Sequence, residues 1–122
     1  MAKKILIVDD EKLIRWSLTK ILTQNGYEVK AVASGEEALK EIDHTSYDLV
    51  FTDLKMIGID GIEVLKEIRK VSPKTKVIII SAYGTPQVRL LASKFKALSF
   101  IDKPFKAEQI RTTARSALTS CE

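Results

Sequence analysis

Asp9, Asp10 and Glu11 stand in a row directly behind the apolar run Lys4-Ile5-Leu6-Ile7-Val8. Adjacent negative charges repel, and near the end of a buried strand water screens them poorly, so a cation is expected to gather there. Asp53 follows the apolar run "DLVFT", Ser81 follows "KVIII", and Lys103 lies just past "LSFI". Carboxylates brought together from neighbouring strand ends make a hard, oxygen-rich site. Such a site suits Mg2+ keeping several of its waters better than zinc or a fully caged calcium. With the metal bound, one carboxylate can act as a nucleophile toward phosphorus, provided the incoming phosphoryl oxygens are also neutralised. Lys103 and the Ser81 hydroxyl are the groups that could do so, whereas His44 and Cys121 are too isolated to build a softer metal site.

For these residues to meet, the runs before them must be neighbouring strands. "KILIV" (4–8), "YEVKAV" (27–32), "DLVFT" (48–52), "KVIII" (76–80) and "LSFI" (98–101) are short and mostly rich in β-branched or aromatic residues. Three of them are apolar on both faces, as central strands of a parallel sheet covered by helices must be. Helical patterns fill the gaps. Ile14, Leu18, Ile21 and Leu22 share one face before a stop at Gly26, and Ser34 and Glu37 have capping-box spacing before Ala38, Leu39 and Ile42. Ile62, Leu65 and Ile68 align ahead of Pro73, and Thr85-Pro86 reads as an N-cap and first turn before Val88, Leu91, Ala92 and Phe95. Ile110, Ala114 and Leu118 mark a fifth helix from about Ala107. Five strands alternating with five helices predict a doubly wound α/β domain of flavodoxin-like order 2-1-3-4-5. Ligands bind such sheets at the carboxyl ends of the strands, which is where Asp9, Asp10, Asp53, Ser81 and Lys103 fall.

The 122 residues, 45% of them hydrophobic, suffice for one core, so a single domain over 1–122 is expected. No apolar stretch approaches a bilayer span and "MAKKILIV" lacks the pattern of a secretory signal, which points to the cytoplasm and to no membrane partner. The single cysteine, Cys121, allows no internal disulfide. Residues 1–60 carry 8 Lys/Arg against 11 Asp/Glu, and residues 61–122 carry 12 against 5. The basic half has no finger, arginine-rich arm or aromatic-basic interleaving, so direct nucleic-acid binding is not expected.

"ILIVDDEK", "DLVFTDLKMIGIDG", "IIISAYG" and "SFIDKPF", in this order and spacing, resemble the receiver domain of bacterial two-component response regulators over essentially the whole chain. The resemblance implies that Asp53 is the phosphoacceptor, charged by a phosphohistidine on a sensor histidine kinase. It implies Mg2+ held by Asp10, Asp53 and the backbone carbonyl of Lys55, with Asp9 acting through a water. Ser81 and Lys103 would take the phosphoryl oxygens, and Phe100 matches the aromatic whose rotamer follows the phosphorylated state. Self-phosphorylation from a phosphodonor and slow self-dephosphorylation would then be the only chemistry, so the domain is not expected to be an enzyme. "IRWSL" and "SAYGTPQ" are further similar to receivers of the nitrogen-regulation class of transcription activators. That likeness implies an output domain or homodimer engaged through helix four, strand five and helix five. The chain ends after helix five, as a stand-alone regulator or an excised receiver would.

Two positions depart from the family pattern: Ile57 stands where Pro is usual, and Lys96 where Gly is usual before strand five. A left-handed lysine costs about 1 kcal/mol or more, so helix four is expected to end differently or fray there. Glu11 is read as a first-turn carboxylate of helix one rather than a ligand. Three rivals are weaker. A flavodoxin-like FMN carrier wants Ser, Thr and Gly where "DDEK" stands, and a dehalogenase-type phosphohydrolase wants D-x-D where "DLK" stands. A receiver fold kept only for binding would not need all five polar residues.

Overall fold

Five strands, β1 (Lys4–Val8), β2 (Glu28–Val32), β3 (Leu49–Asp53), β4 (Lys76–Ser81) and β5 (Ser99–Asp102), alternate with five helices. The helices are α1 (Lys12–Gln24), α2 (Gly35–His44), α3 (Gly61–Val71), α4 (Pro86–Lys94) and α5 (Ala107–Thr119). The computed structural model describes residues 2–56 and 58–119, so Ile57 and Cys121 lie outside the described residues. All strand pairs are parallel and the order is β2-β1-β3-β4-β5, as the alternation predicts. Strand ends differ from expectation by a residue: β3 and β4 extend to include Asp53 and Ser81, because their backbones still pair with neighbours there.

The two-residue period of the strands divides the core. Leu6, Val8, Val50, Val77 and Ile79 face α2, α3 and α4, meeting Ala38, Ile42, Leu65, Ile68 and Ala92. Ile5, Ile7, Leu49, Phe51, Ile78 and Ile80 face α1 and α5, meeting Leu18, Leu22, Ile110 and Ala114. Every residue of β3 is buried and only the first residue of β1 and of β4 is not, which accounts for runs apolar on both faces. No helix among the described residues is long and apolar enough to cross a membrane.

Helix ends follow local chemistry. The side chains of Ser34, Asp60 and Thr85 accept the N–H of Glu37, Glu63 and Val88 and so cap α2, α3 and α4. After α1, Gly26 takes φ 87°, with Gly26 N–H donating to Thr23 O and Tyr27 N–H to Leu22 O. This is the paired closure that left-handed residues provide. The same closure follows α4, where Lys96 N–H donates to Ser93 O and Ala97 N–H to Ala92 O, and there the left-handed residue is Lys96 at φ 63°. The expectation that α4 would end otherwise is therefore corrected. Two backbone hydrogen bonds and the burial of Ala92 hold the turn against a local cost of about 1–2 kcal/mol.

Candidate phosphoacceptor site

Asp9, Asp10 and Asp53 come together at the carboxyl ends of β1 and β3, one oxygen of each lying within 4.8 Å of the others. Asp9 and Asp53 are buried and Asp10 is exposed. The neighbouring pairing of β1 and β3 carries the two strand ends to the same place. Gly61 completes this placement: its N–H donates to Leu54 O at 2.8 Å, and a Cβ there would lie 2.2 Å from Asp53 O. The start of α3 therefore rests on the backbone of Asp53, where no side chain fits.

Lys103 supplies the positive charge. Its Nζ lies 3.1 Å from Asp9 Oδ2, 3.1 Å from Glu11 Oε1 and 3.4 Å from Asp53 Oδ2. Glu11 is the N-cap residue of α1 but its side chain caps nothing, having turned to Lys103 instead, which corrects its reading as a helix-dipole carboxylate. The remaining oxygens are anchored by backbone: Glu11 N–H donates to Asp9 Oδ1 at 2.9 Å and Leu54 N–H to Asp53 Oδ1 at 2.8 Å. Burial, and then the charge of Asp9, push the Asp53 carboxyl up to about 6, against the pull of Lys103 and the Leu54 N–H. Burial likewise raises Asp9, opposed by the Glu11 N–H and by Lys103. For Lys103 burial works against the ammonium, yet the charges of Asp9 and Asp53 and the hydrogen bonds to Glu11 and Asp9 outweigh it, so its proton is held more tightly than usual.

Ser81 is fully buried at the end of β4, and its Oγ accepts the N–H of Tyr83 at 3.0 Å. Its carbonyl accepts the N–H of Lys103 at 3.0 Å, which ties the ends of β4 and β5 together. Lys55 lies two residues beyond Asp53, and its Nζ sits over the Tyr83 ring, 5.0 Å from the centroid. Phe100 stands apart from the carboxylates and is only partly buried. Its ring lies against Gly84, where a Cβ would approach within 2.7 Å, and beneath Arg89, whose guanidinium carbon is 4.4 Å from the ring centroid. Arg89 also donates to Gly84 O and pairs with Asp102, contacts that anchor its guanidinium over the ring. Neither Glu11 nor Arg89 carried a sequence signal for these contacts. Arg89 is 13 residues from Asp102, and Glu11 is 92 from Lys103.

The donor set fits a hard divalent cation: three carboxylates converge, and no histidine or cysteine joins them among the described residues. The buried like charges of Asp9 and Asp53 are only partly neutralised by one ammonium shared among three carboxylates.

The sequence profile of the response regulator receiver domain matches residues 5–115. The chain belongs to this family of two-component receiver domains. It is 36% identical over 118 residues to sporulation initiation phosphotransferase F of Bacillus subtilis (strain 168), covering 97% of this chain and 95% of that protein. It is also 36% identical to the nitrogen assimilation regulatory protein NtrX of Azorhizobium caulinodans, covering 97% of this chain but 26% of the longer regulator. Among solved structures, a CheY-like response regulator receiver domain protein from Methanospirillum hungatei JF-1 superposes with a TM-score of 0.95 at 29% identity, covering 98% of this chain and 95% of that one.

Proposed function

We propose that residues 1–122 form one phosphorelay receiver in which Asp53 accepts a phosphoryl group from the phosphohistidine of a sensor histidine kinase. The observation that carries this reading is the convergence of Asp9, Asp10 and Asp53 within 4.8 Å under the Lys103 ammonium. Asp10, Asp53 and the Lys55 carbonyl would hold Mg2+, with Asp9 acting through a water. The ion supplies positive charge that offsets both the carboxylates and the incoming phosphoryl oxygens. A carboxylate oxygen of Asp53 forms the new O–P bond as the donor's N–P bond breaks, and the imidazole leaves with the electron pair. Lys103 and the Ser81 hydroxyl take phosphoryl oxygens, and Ser81 donates its O–H there while its Oγ accepts the Tyr83 N–H, so a rotation of the hydroxyl toward the phosphoryl group acts on the Tyr83 backbone.

That contact links the reaction to the loop leading into α4, and through Gly84 and Arg89 to Phe100. Phosphorylation shifts the α4-β5-α5 face between two arrangements, to the extent that the phosphoryl group binds them differently. The output is an attached domain or a homodimer, and the likeness to the transcriptional regulatory protein ZraR of Escherichia coli (strain K12), 35% identical over 114 residues, favours transcriptional control. On this face Arg89 pairs with Asp102 and Arg111 with Glu108, which offsets part of the basic charge carried by residues 61–122.

A D-x-D phosphohydrolase is disfavoured because the side chain at the second position is Lys55, turned onto Tyr83. Intact mass after incubation with acetyl phosphate and Mg2+ tests the proposal. A one-phosphoryl gain is expected in the natural chain and none in Asp53→Ala or in excess EDTA. A gain that persists in either overturns it, and no gain in the natural chain favours a binding module without phosphotransfer.

A further inference from the structure

The amino end of β4 adjoins basic residues, whereas its carboxyl end borders the acidic pocket. β4 runs from Lys76 to Ser81, so the Lys76 end lies about 17 Å from the acidic pocket at roughly 3.3 Å per residue. Two adjoining cavities of about 340 and 450 Å³ open there and share Arg69, Pro73 and Lys96 as walls. Lys94 and Phe95 complete the smaller, while Lys74, Thr75, Lys76 and Leu98 complete the larger. Among the described residues, no carboxylate lines either cavity.

Arg69 is the floor of this cup. Its Nη1 donates to Pro73 O at 2.6 Å and its Nη2 to Thr75 O, while its buried Nε has no hydrogen-bond partner. Among the described residues, no carboxylate forms an ion pair with Arg69, Lys74, Lys94 or Lys96. A guanidinium drawn out of water without a counter-ion is unfavourable, and burial lowers the affinity of Arg69 for its proton. Lys96 adds a second unfavourable element, since it holds a left-handed backbone that glycine would adopt without strain. Uncompensated charge and backbone strain thus meet at the mouth of one concavity, where a bound anion would offset the first and use the second.

We propose that the cup of Arg69, Lys74, Lys94 and Lys96 binds a small multivalent phosphate anion of the di- or triphosphate class. Phosphate is favoured over the carboxylates of an acidic peptide because each terminal nitrogen of Arg69 already donates one N–H to a backbone carbonyl. The bidentate grip that arginine gives a carboxylate is therefore weakened, and the other cations of the cup are lysine ammoniums, which serve phosphate as point charges. Cavities of this size fall in the range of small-molecule sites, and Pro73, Phe95 and Leu98 offer apolar walls beside the charge. The site is independent of the phosphoacceptor reading.

The test is titration of the whole chain with sodium tripolyphosphate in metal-free buffer, followed by backbone amide NMR. Saturable shifts are expected at Arg69, Lys74, Lys94 and Lys96, weakening as salt is added. Lys96→Gly retains the turn that its left-handed backbone forms, so loss of binding in that variant is not loss of fold. It should weaken binding about threefold to fivefold, and Lys94→Ala combined with it should weaken binding further. Shifts confined to Asp9, Asp53 and Lys103, or an affinity unchanged in the double variant, would overturn the proposal. So would a glutamate decapeptide that binds the same amides more tightly than tripolyphosphate.

Discussion

Helices α3 and α4 each follow a strand that ends on a residue of the candidate site, Asp53 for one and Ser81 for the other, yet they are held very differently. α3 buries Gly61, Ile62, Val64, Leu65 and Ile68, whereas α4 buries only Ala92 and leaves Leu90 73% exposed. Capping does not distinguish them, since Asp60 and Thr85 each cap with a side-chain oxygen. The glycines at their starts do, Gly61 as the first residue of α3 and Gly84 two residues ahead of α4. A Cβ on Gly61 would strike the backbone of Asp53, while one on Gly84 would strike the ring of Phe100 and the end of Arg89, both of which can move. The Asp53 side of the site is thus fixed to the core and the Ser81 side is lightly attached, a division that suits the proposed nucleophile on one and the proposed response on the other.

The largest expected contrast is in core truncation. Leu65→Ala should cost about 2–5 kcal/mol in denaturant unfolding, and Leu90→Ala should stay within about 0.5 kcal/mol. Equal losses would break the distinction between the helices. Next come the glycines: Gly61→Ala should destabilise by about 1–3 kcal/mol and reduce the acetyl phosphate mass gain, because it displaces Asp53. Gly84→Ala should cost less than about 1 kcal/mol and leave the mass gain intact, while shifting the Phe100 amide in NMR spectra.

A third outcome concerns pH. Because the folded chain raises Asp53 from 3.8 to about 6, it binds a proton in that window that the unfolded chain does not. The unfavourable contribution of the charged carboxylate is therefore absent below pH 3.8 and complete above about 6, so it makes metal-free stability fall as pH rises between them. The difference in melting temperature between the natural chain and Asp53→Asn isolates this contribution and should widen with pH in the asparagine variant's favour. The smallest effect is at the far end of α4, where Lys96→Gly should stabilise by up to about 1 kcal/mol by removing left-handed strain. Destabilisation there would mean that the Lys96 side chain makes contacts worth more than the strain.

The sheet order and the strand-end placement of Asp9, Asp10, Asp53, Ser81 and Lys103 were legible because they follow from local patterns. Apolar runs of strand length mark the strands, and alternation with helices orders them. What was not legible depends on encounters between distant residues. The turn of Glu11 away from its helix is decided by Lys103, 92 residues on. The left-handed Lys96 shows local preference yielding to the two backbone hydrogen bonds that close α4. The cover that Arg89 places on Phe100 needs Gly84, Asp102 and the ring together, and no single spacing announces it.

The position of β1 between β2 and β3 also sets an order of events during synthesis. Once β2 has emerged from the ribosome, β1 can pair along one edge, but its other edge waits for Leu49–Thr52. At roughly 5–20 residues per second, that edge of Ile5, Leu6, Ile7 and Val8 stands open for about one to several seconds. During that interval the nascent chain exposes one open edge of an apolar strand, of the kind that templates misassembly. The clustered charges of Asp9, Asp10 and Glu11 directly behind it then serve as a gatekeeper, keeping neighbouring nascent chains apart before any site exists.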